Sequence, residues 1–146
     1  MDKLIINDKD FKGLISNICR SISVSGWRPD YIVGITRGGL CPAVMISHWL
    51  NVPMHTLNVS LRDNDTGPES NLWMSEDAFG YEGQPKNILV VDDINDSGAT
   101  INWIMKDWQS SCFPQGDRWN TVWNNNVRFA VVIDNAASKC DVKMDY

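Results

Sequence analysis

Ile88-Leu89-Val90-Val91-Asp92-Asp93-Ile94-Asn95-Asp96-Ser97-Gly98-Ala99-Thr100 is the stretch on which the reading of this chain turns. Its first four residues are apolar and rich in β-branched types. Such a run is too short for a helix and has the pattern of a strand buried on both faces. Asp92 and Asp93 stand where that strand would leave its sheet, and Asp96 to Thr100 make a short loop. Helical spacing resumes at Ile101, Ile104, Met105 and Trp108, so a helix is expected over 99–111. Strand, acidic pair, loop and helix are the start of an α/β unit. Its polar groups lie at the carboxyl end of the strand, where open parallel sheets bind ligands.

The residue types in the loop suit a phosphate. Gly98, between small neighbours, lets successive backbone N–H groups turn inward at a helix N-terminus, and the hydroxyls of Ser97 and Thr100 add donors. Asp92 and Asp93 are of no help to an anion and need another partner. Vicinal sugar hydroxyls, or a magnesium ion held through water, would serve. A phosphorylated sugar satisfies both halves together.

A second unit of the same kind precedes it. Tyr31 to Ile35 reads as a buried strand, Thr36-Arg37-Gly38-Gly39 as a loop, and Leu40 to Leu50 as a helix with Pro42 in its first turn. Taken alone, this reads first as a tight strand-to-helix turn with a surface arginine. Two such loops change the reading: if strands 31–35 and 88–91 are neighbours, both loops meet at one edge of the sheet.

Residues 88–100 resemble the phosphoribosyl-pyrophosphate (PRPP) signature of the type I phosphoribosyltransferases, and Gly34-Ile-Thr-Arg-Gly-Gly-Leu40 resembles the pyrophosphate loop of the same family. The likeness is closest to the xanthine–guanine/hypoxanthine branch. A receiver domain also has an apolar strand ending in paired acids, but there the strand opens the domain, whereas here only 46 residues follow Thr100. The resemblance implies an α/β fold with a mostly parallel central sheet flanked by helices, a long mobile loop over the site and a reduced or missing C-terminal hood. It implies Mg2+-dependent transfer of a 5-phosphoribosyl group from PRPP to a nucleobase, a 6-oxopurine, with release of pyrophosphate. Asp96, Ser97, Gly98, Ala99 and Thr100 would hold the 5′-phosphate, and Thr36, Arg37, Gly38 and Gly39 the diphosphate. Asp92 and Asp93 would hold the ribose hydroxyls or the metal, with Asp96 and Arg37 as the catalytic residues. The purine-using members place a lysine at the base edge where this chain has Asn135, whose amide both donates and accepts; a turn asparagine is an equal reading. The resemblance further implies a homodimer or higher homo-oligomer in the cytoplasm.

Length and composition agree with this. The 146 residues suffice for one domain over 1–146 with a core of its own. A net charge of −5 lacks the basic balance of a general nucleic-acid binder, and no apolar run approaches a membrane span or a signal peptide. Cys19, Cys41, Cys112 and Cys140 are widely spaced, with only His48 and His55 beside them, which reads as free thiols rather than a zinc site. Both histidines read as structural, since neither ends a strand.

The remaining segments read as follows. Leu4 to Ile6 is a short edge strand, and Asn7 or Asp8 caps a helix carrying Phe11, Leu14, Ile15, Ile18, Cys19 and Ile22 on one face, ended by Gly26. Val52 to Val59 and Val127 to Ile133 are further strands. Residues 61–86 read as an irregular excursion in the place of the family's lid, with Trp73, Phe79 and Tyr81 as packing aromatics. Between Arg62 and Lys86 it holds six acids and no cation, and the family's Ser-Tyr is here Ser60-Leu61. Residues 112–126 read as a polar insertion without a role. The acidic excursion, Asn135 and the missing tyrosine keep open an alternative: a PRPP-binding regulatory or catalytically degenerate paralogue.

Overall fold

The computed structural model describes residues 8–36, 38–59, 72–80, 83–95, 98–111, 117–134, 140 and 142–146. Four strands form one parallel sheet: β1 (Tyr31–Thr36), β2 (Met54–Asn58), β3 (Ile88–Asn95) and β4 (Val127–Asp134), in the order β2-β1-β3-β4. The helices are α1 (Asp8–Ser25), α2 (Leu40–Leu50), α3 (Leu72–Phe79) and α4 (Ala99–Ser111). The expected edge strand Leu4–Ile6 lies outside the described residues.

Strand alternation builds a core on each face. Ile32, Leu89, Val91 and Ala130 pack with Ile15, Ile18, Cys19 and Ile22 of α1 and Ala43 and Ile46 of α2. Tyr31, Val33, Ile35, Ile88, Val90 and Phe129 point the other way, onto Met74 and Ala78 of α3 and Ile101, Ile104 and Trp108 of α4. The continuous apolar runs in β1 and β3 follow from this double burial.

The connections decide where a ligand can sit. From β1 the chain passes through α2 to β2 on one side, and from β3 through α4 to β4 on the other. The strand order therefore reverses between β1 and β3, and a crevice opens at their carboxyl ends.

Several expectations need correction. β3 runs on to Asn95 rather than stopping at Val91, because β4 keeps pairing with it after β1 has parted at Gly34–Val91. Asp92 and Asp93 are thus inside a strand, beyond its last rung with β1. β2 is shorter than Val52–Val59 and lies at the sheet edge, with only Leu57 buried in the strand. The excursion 61–86 holds α3, whose Met74, Ser75 and Ala78 are buried; its apolar positions are too few for periodicity to reveal an eight-residue helix. The insertion 112–126 has a structural role after all: a 3-10 turn at Asp117–Thr121 leads Trp119, Val122 and Trp123 into the core. Of the expected lid 61–86, residues 61–71 and 81–82 lie outside the described residues. No described helix is long and apolar enough to cross a membrane.

Candidate active site

A cleft of about 320 Å³ opens at the β1/β3 crevice. Ile35, Thr36 and Gly38 line one side, and Asp92, Asp93, Ile94 and Asn95 with Gly98 to Ile101 line the other. The two loops singled out in sequence thus meet, as the parallel pairing of β1 with β3 requires.

The glycines of the first loop are there for space. A Cβ on Gly39 would lie 2.3 Å from the Val91 carbonyl oxygen and 2.8 Å from Ile35 backbone atoms. One on Gly38 would stand 2.5 Å from Asp93 Oδ2. The loop is therefore laid directly over the end of β3, held by Gly39 N–H donating to the Ile35 carbonyl at 2.8 Å. Thr36 is fixed from the edge strand: its Oγ1 donates to Asn58 Oδ1 at 3.1 Å. Gly98, by contrast, has φ +86°, a conformation that L side chains rarely adopt. There the chain turns into α4, with the Asn102 N–H bonded to the Gly98 carbonyl. The N-terminus of α4 lines the cleft, where the positive end of the helix dipole suits an anion.

The acidic pair makes the cleft floor negative. Asp93 N–H donates to Asp92 Oδ1, and Ile94 N–H to Asp93 Oδ1, each at 2.8 Å. Burial, then a side-chain hydrogen bond with Asp93 and its charge, push the Asp92 carboxyl up to about 7, against a lowering backbone hydrogen bond from Asp93. No salt bridge to either acid occurs among the described residues. A half-buried carboxylate pair of this kind asks for a cation or for hydroxyl donors.

Thr36, Gly38, Asp92, Asp93, Gly98, Ala99 and Thr100 are thus brought to one cleft, and Gly39 is packed directly behind it. Arg37, Asp96, Ser97 and Asn135 lie outside the described residues. Sequence reasoning passed over Asn58 and Asn95. Asn58 is visible only once the β1–β2 register puts it opposite Thr36. Asn95 follows the acidic pair and stands out only once β3 is seen to run on to it beside β4.

Comparison with known proteins agrees with this architecture. Residues 5–146 match the model of the phosphoribosyl transferase domain. The chain belongs to the phosphoribosyltransferase family. Among curated relatives of this phosphoribosyltransferase, the xanthine-guanine phosphoribosyltransferase of Cereibacter sphaeroides is 30% identical over 116 residues, covering 71% of the chain and 68% of the relative. Xanthine phosphoribosyltransferase 1 of Saccharomyces cerevisiae is 22% identical, over 92% of the chain and 73% of the relative. The hypoxanthine-guanine phosphoribosyltransferase of Schizosaccharomyces pombe is 24% identical, and the match spans 82% of the chain and 66% of the relative. In fold the chain is similar to the crystal structure of a purine phosphoribosyltransferase from Pyrococcus horikoshii, with a TM-score of 0.68 at 21% identity, over all of this chain and 86% of that one. The fold is that of the type I phosphoribosyltransferases, a parallel sheet flanked by helices.

Proposed function

We propose that this phosphoribosyltransferase moves the 5-phosphoribosyl group from PRPP to a 6-oxopurine with magnesium, releasing pyrophosphate. The observation that carries the proposal is the cleft that residues of a phosphate-type loop, a tight glycine loop and an acidic pair line together. The base class is supported by the relatives, which are phosphoribosyltransferases of xanthine, hypoxanthine and guanine.

In this reading Asp96 to Thr100 receive the 5′-phosphate at the N-terminus of α4. Thr36 to Gly39 receive the diphosphate, where the absence of Cβ atoms on Gly38 and Gly39 lets backbone approach phosphate oxygens. Asp92 and Asp93 take the ribose hydroxyls, directly or through metal-bound water. Two adjacent carboxylates fit magnesium, which usually takes one or two carboxylates and completes its shell with water and substrate oxygens. When bound, magnesium supplies positive charge that offsets the diphosphate.

The chain's own work is then positioning and electrostatics. Breaking the bond from the anomeric carbon to the diphosphate leaves oxocarbenium character on the ribose, as in glycoside cleavage. The acidic pair beneath the sugar stabilises that positive charge, and Arg37 the departing negative one. Asp96 takes the proton from the attacking base nitrogen, and Asn135 pairs with the base edge.

The test is one incubation with magnesium, PRPP and a mixture of hypoxanthine, guanine, xanthine, adenine, uracil and orotate, read by mass spectrometry. A 6-oxopurine nucleotide is the expected product. No nucleotide from protein that still binds PRPP would replace the transferase by a PRPP-binding regulator.

A further inference from the structure

We infer that Asn95 and Asp134 form a positioning pair that ties the phosphate loop to the base loop of the proposed transfer site. The inference rests on that proposed function and adds to it two residues that hold the loops in mutual register.

The placement carries the argument. Asn95 is the last residue of β3 and Asp134 the last of β4, and the two are partners in the parallel register. In a parallel pair, register partners present their side chains to the same face of the sheet. Asn95 Nδ2 donates to Asp134 Oδ1 at 2.9 Å. A carboxylate only accepts, so the amide nitrogen is the atom that faces it. Immediately after Asn95 the chain enters Asp96 to Thr100, and immediately after Asp134 it enters Asn135. The bond therefore sits on the last rung of the β3–β4 pairing, where each strand hands over to the segment that carries its proposed role.

Packing alone does not account for Asn95. It lines the cleft yet is only 5% exposed, a place an apolar side chain would fill without needing a partner. Asp134 supplies one of the partners that an asparagine needs there. Its bond to a charged acceptor is of the stronger kind, and it sits two residues from Asp93 on the same strand face. A shift of β4 against β3 would move Asn135 relative to the ribose, and a displacement of about 1 Å at a reacting centre costs on the order of a hundredfold in rate.

Four variants test the pair: Asn95→Leu, Asn95→Asp, Asp134→Ala, and the exchanged double variant Asn95→Asp/Asp134→Asn. Kinetic constants for PRPP and base are measured beside thermal melts, with each rate scaled to the folded fraction. Asn95→Asp sets two carboxylates against each other and should lower kcat/KM for the base by about tenfold or more. Asp134→Ala, made at an exposed position, should do the same if Asn95→Leu or Asn95→Asp does not fold. The exchanged variant reverses donor and acceptor and should recover to within about threefold of the parent, a rescue that a packing role would not produce. Parent-like kcat/KM in Asp134→Ala, or an exchanged variant no better than Asn95→Asp, overturns the pair while leaving the transferase reading intact. A parent that binds PRPP but forms no nucleotide overturns the transferase reading instead. The pair is then decided by PRPP affinity, where Asn95→Asp must bind more weakly than the exchanged variant.

Discussion

At residue scale, Gly38 and Gly39 stand side by side and should behave differently. An alanine at 39 meets backbone atoms of β3 and β1, which cannot move without disturbing the sheet. Gly39→Ala should cost about 1–3 kcal/mol in chemical denaturation, as overpacking does. At 38 the clash is with a carboxylate at the end of a side chain, which can rotate. Gly38→Ala should therefore leave the denaturation midpoint near that of the parent and weaken PRPP binding, because Asp93 is displaced. Equal loss of stability in both variants would refute this account of the loop. The acidic pair has its own test. Asp92→Asn with Asp93→Asn should lower kcat/KM for PRPP by about a hundredfold or more, the cost of losing contacts to charged groups. Near-parent turnover would remove both from the site.

At element scale, the segment between α4 and β4 shows how a polar stretch can build a core. Trp119 and Trp123 stack at 5.4 Å between ring centroids, with Phe79 5.3 Å from Trp119 and Trp108 6.1 Å from Trp123. Trp119→Ala should cost about 3–5 kcal/mol in denaturant unfolding. The Trp119 indole nitrogen is buried and has no acceptor among the described residues. Trp119→Phe should consequently cost far less, since it keeps an aromatic ring and removes an unpaired donor. Asn126 ties the same segment to α3: its buried Nδ2 donates to the Ala78 carbonyl at 2.7 Å and the Lys86 carbonyl at 3.0 Å. Periodicity could not find this arrangement. Trp119, Val122 and Trp123 stand at i, i+3 and i+4, but one turn in a polar segment is too short to read as a helix, and the partners Phe79, Ala78 and Lys86 are forty or more positions away.

For the whole molecule, the two faces of the sheet set a pH limit. Cys19 lies fully buried in the α1/α2 layer, and burial raises its thiol from 9.0 to about 11. On the opposite face the Tyr31 phenol is pushed upward too, by burial first and then by the charge and hydrogen bond of Asp77. Both groups hold their protons more tightly folded than unfolded. Their contribution is complete below the ordinary thiol value and is lost as pH rises from about 9 to 11, by up to about 3 kcal/mol for Cys19 alone. Urea unfolding at pH 8, 9.5 and 10.5 should show this decline, and Cys19→Ala should flatten part of it. A parent curve indifferent to pH over that range would contradict the assigned burial. Thiol labelling gives a companion check: exposed Cys41 should react in the folded protein, and Cys19 only after unfolding.

The sequence by itself determined the α/β class, the boundaries of α2 and α4, and the placing of two polar loops each at the carboxyl end of a buried strand; that the two strands are neighbours came from the fold. These are local matters: short apolar runs must be buried strands, and a glycine loop between strand and helix leaves polar groups at the carboxyl end. Tertiary structure alone decided the rest. It carried β3 four residues further because β4 continues beside it, recruited Trp119 and Trp123 from a polar segment into the core, and set Asn58 against Thr36 and Asn95 against Asp134. Each of these depends on which strands are neighbours and in what register, and register is a property of the assembled sheet rather than of any one strand.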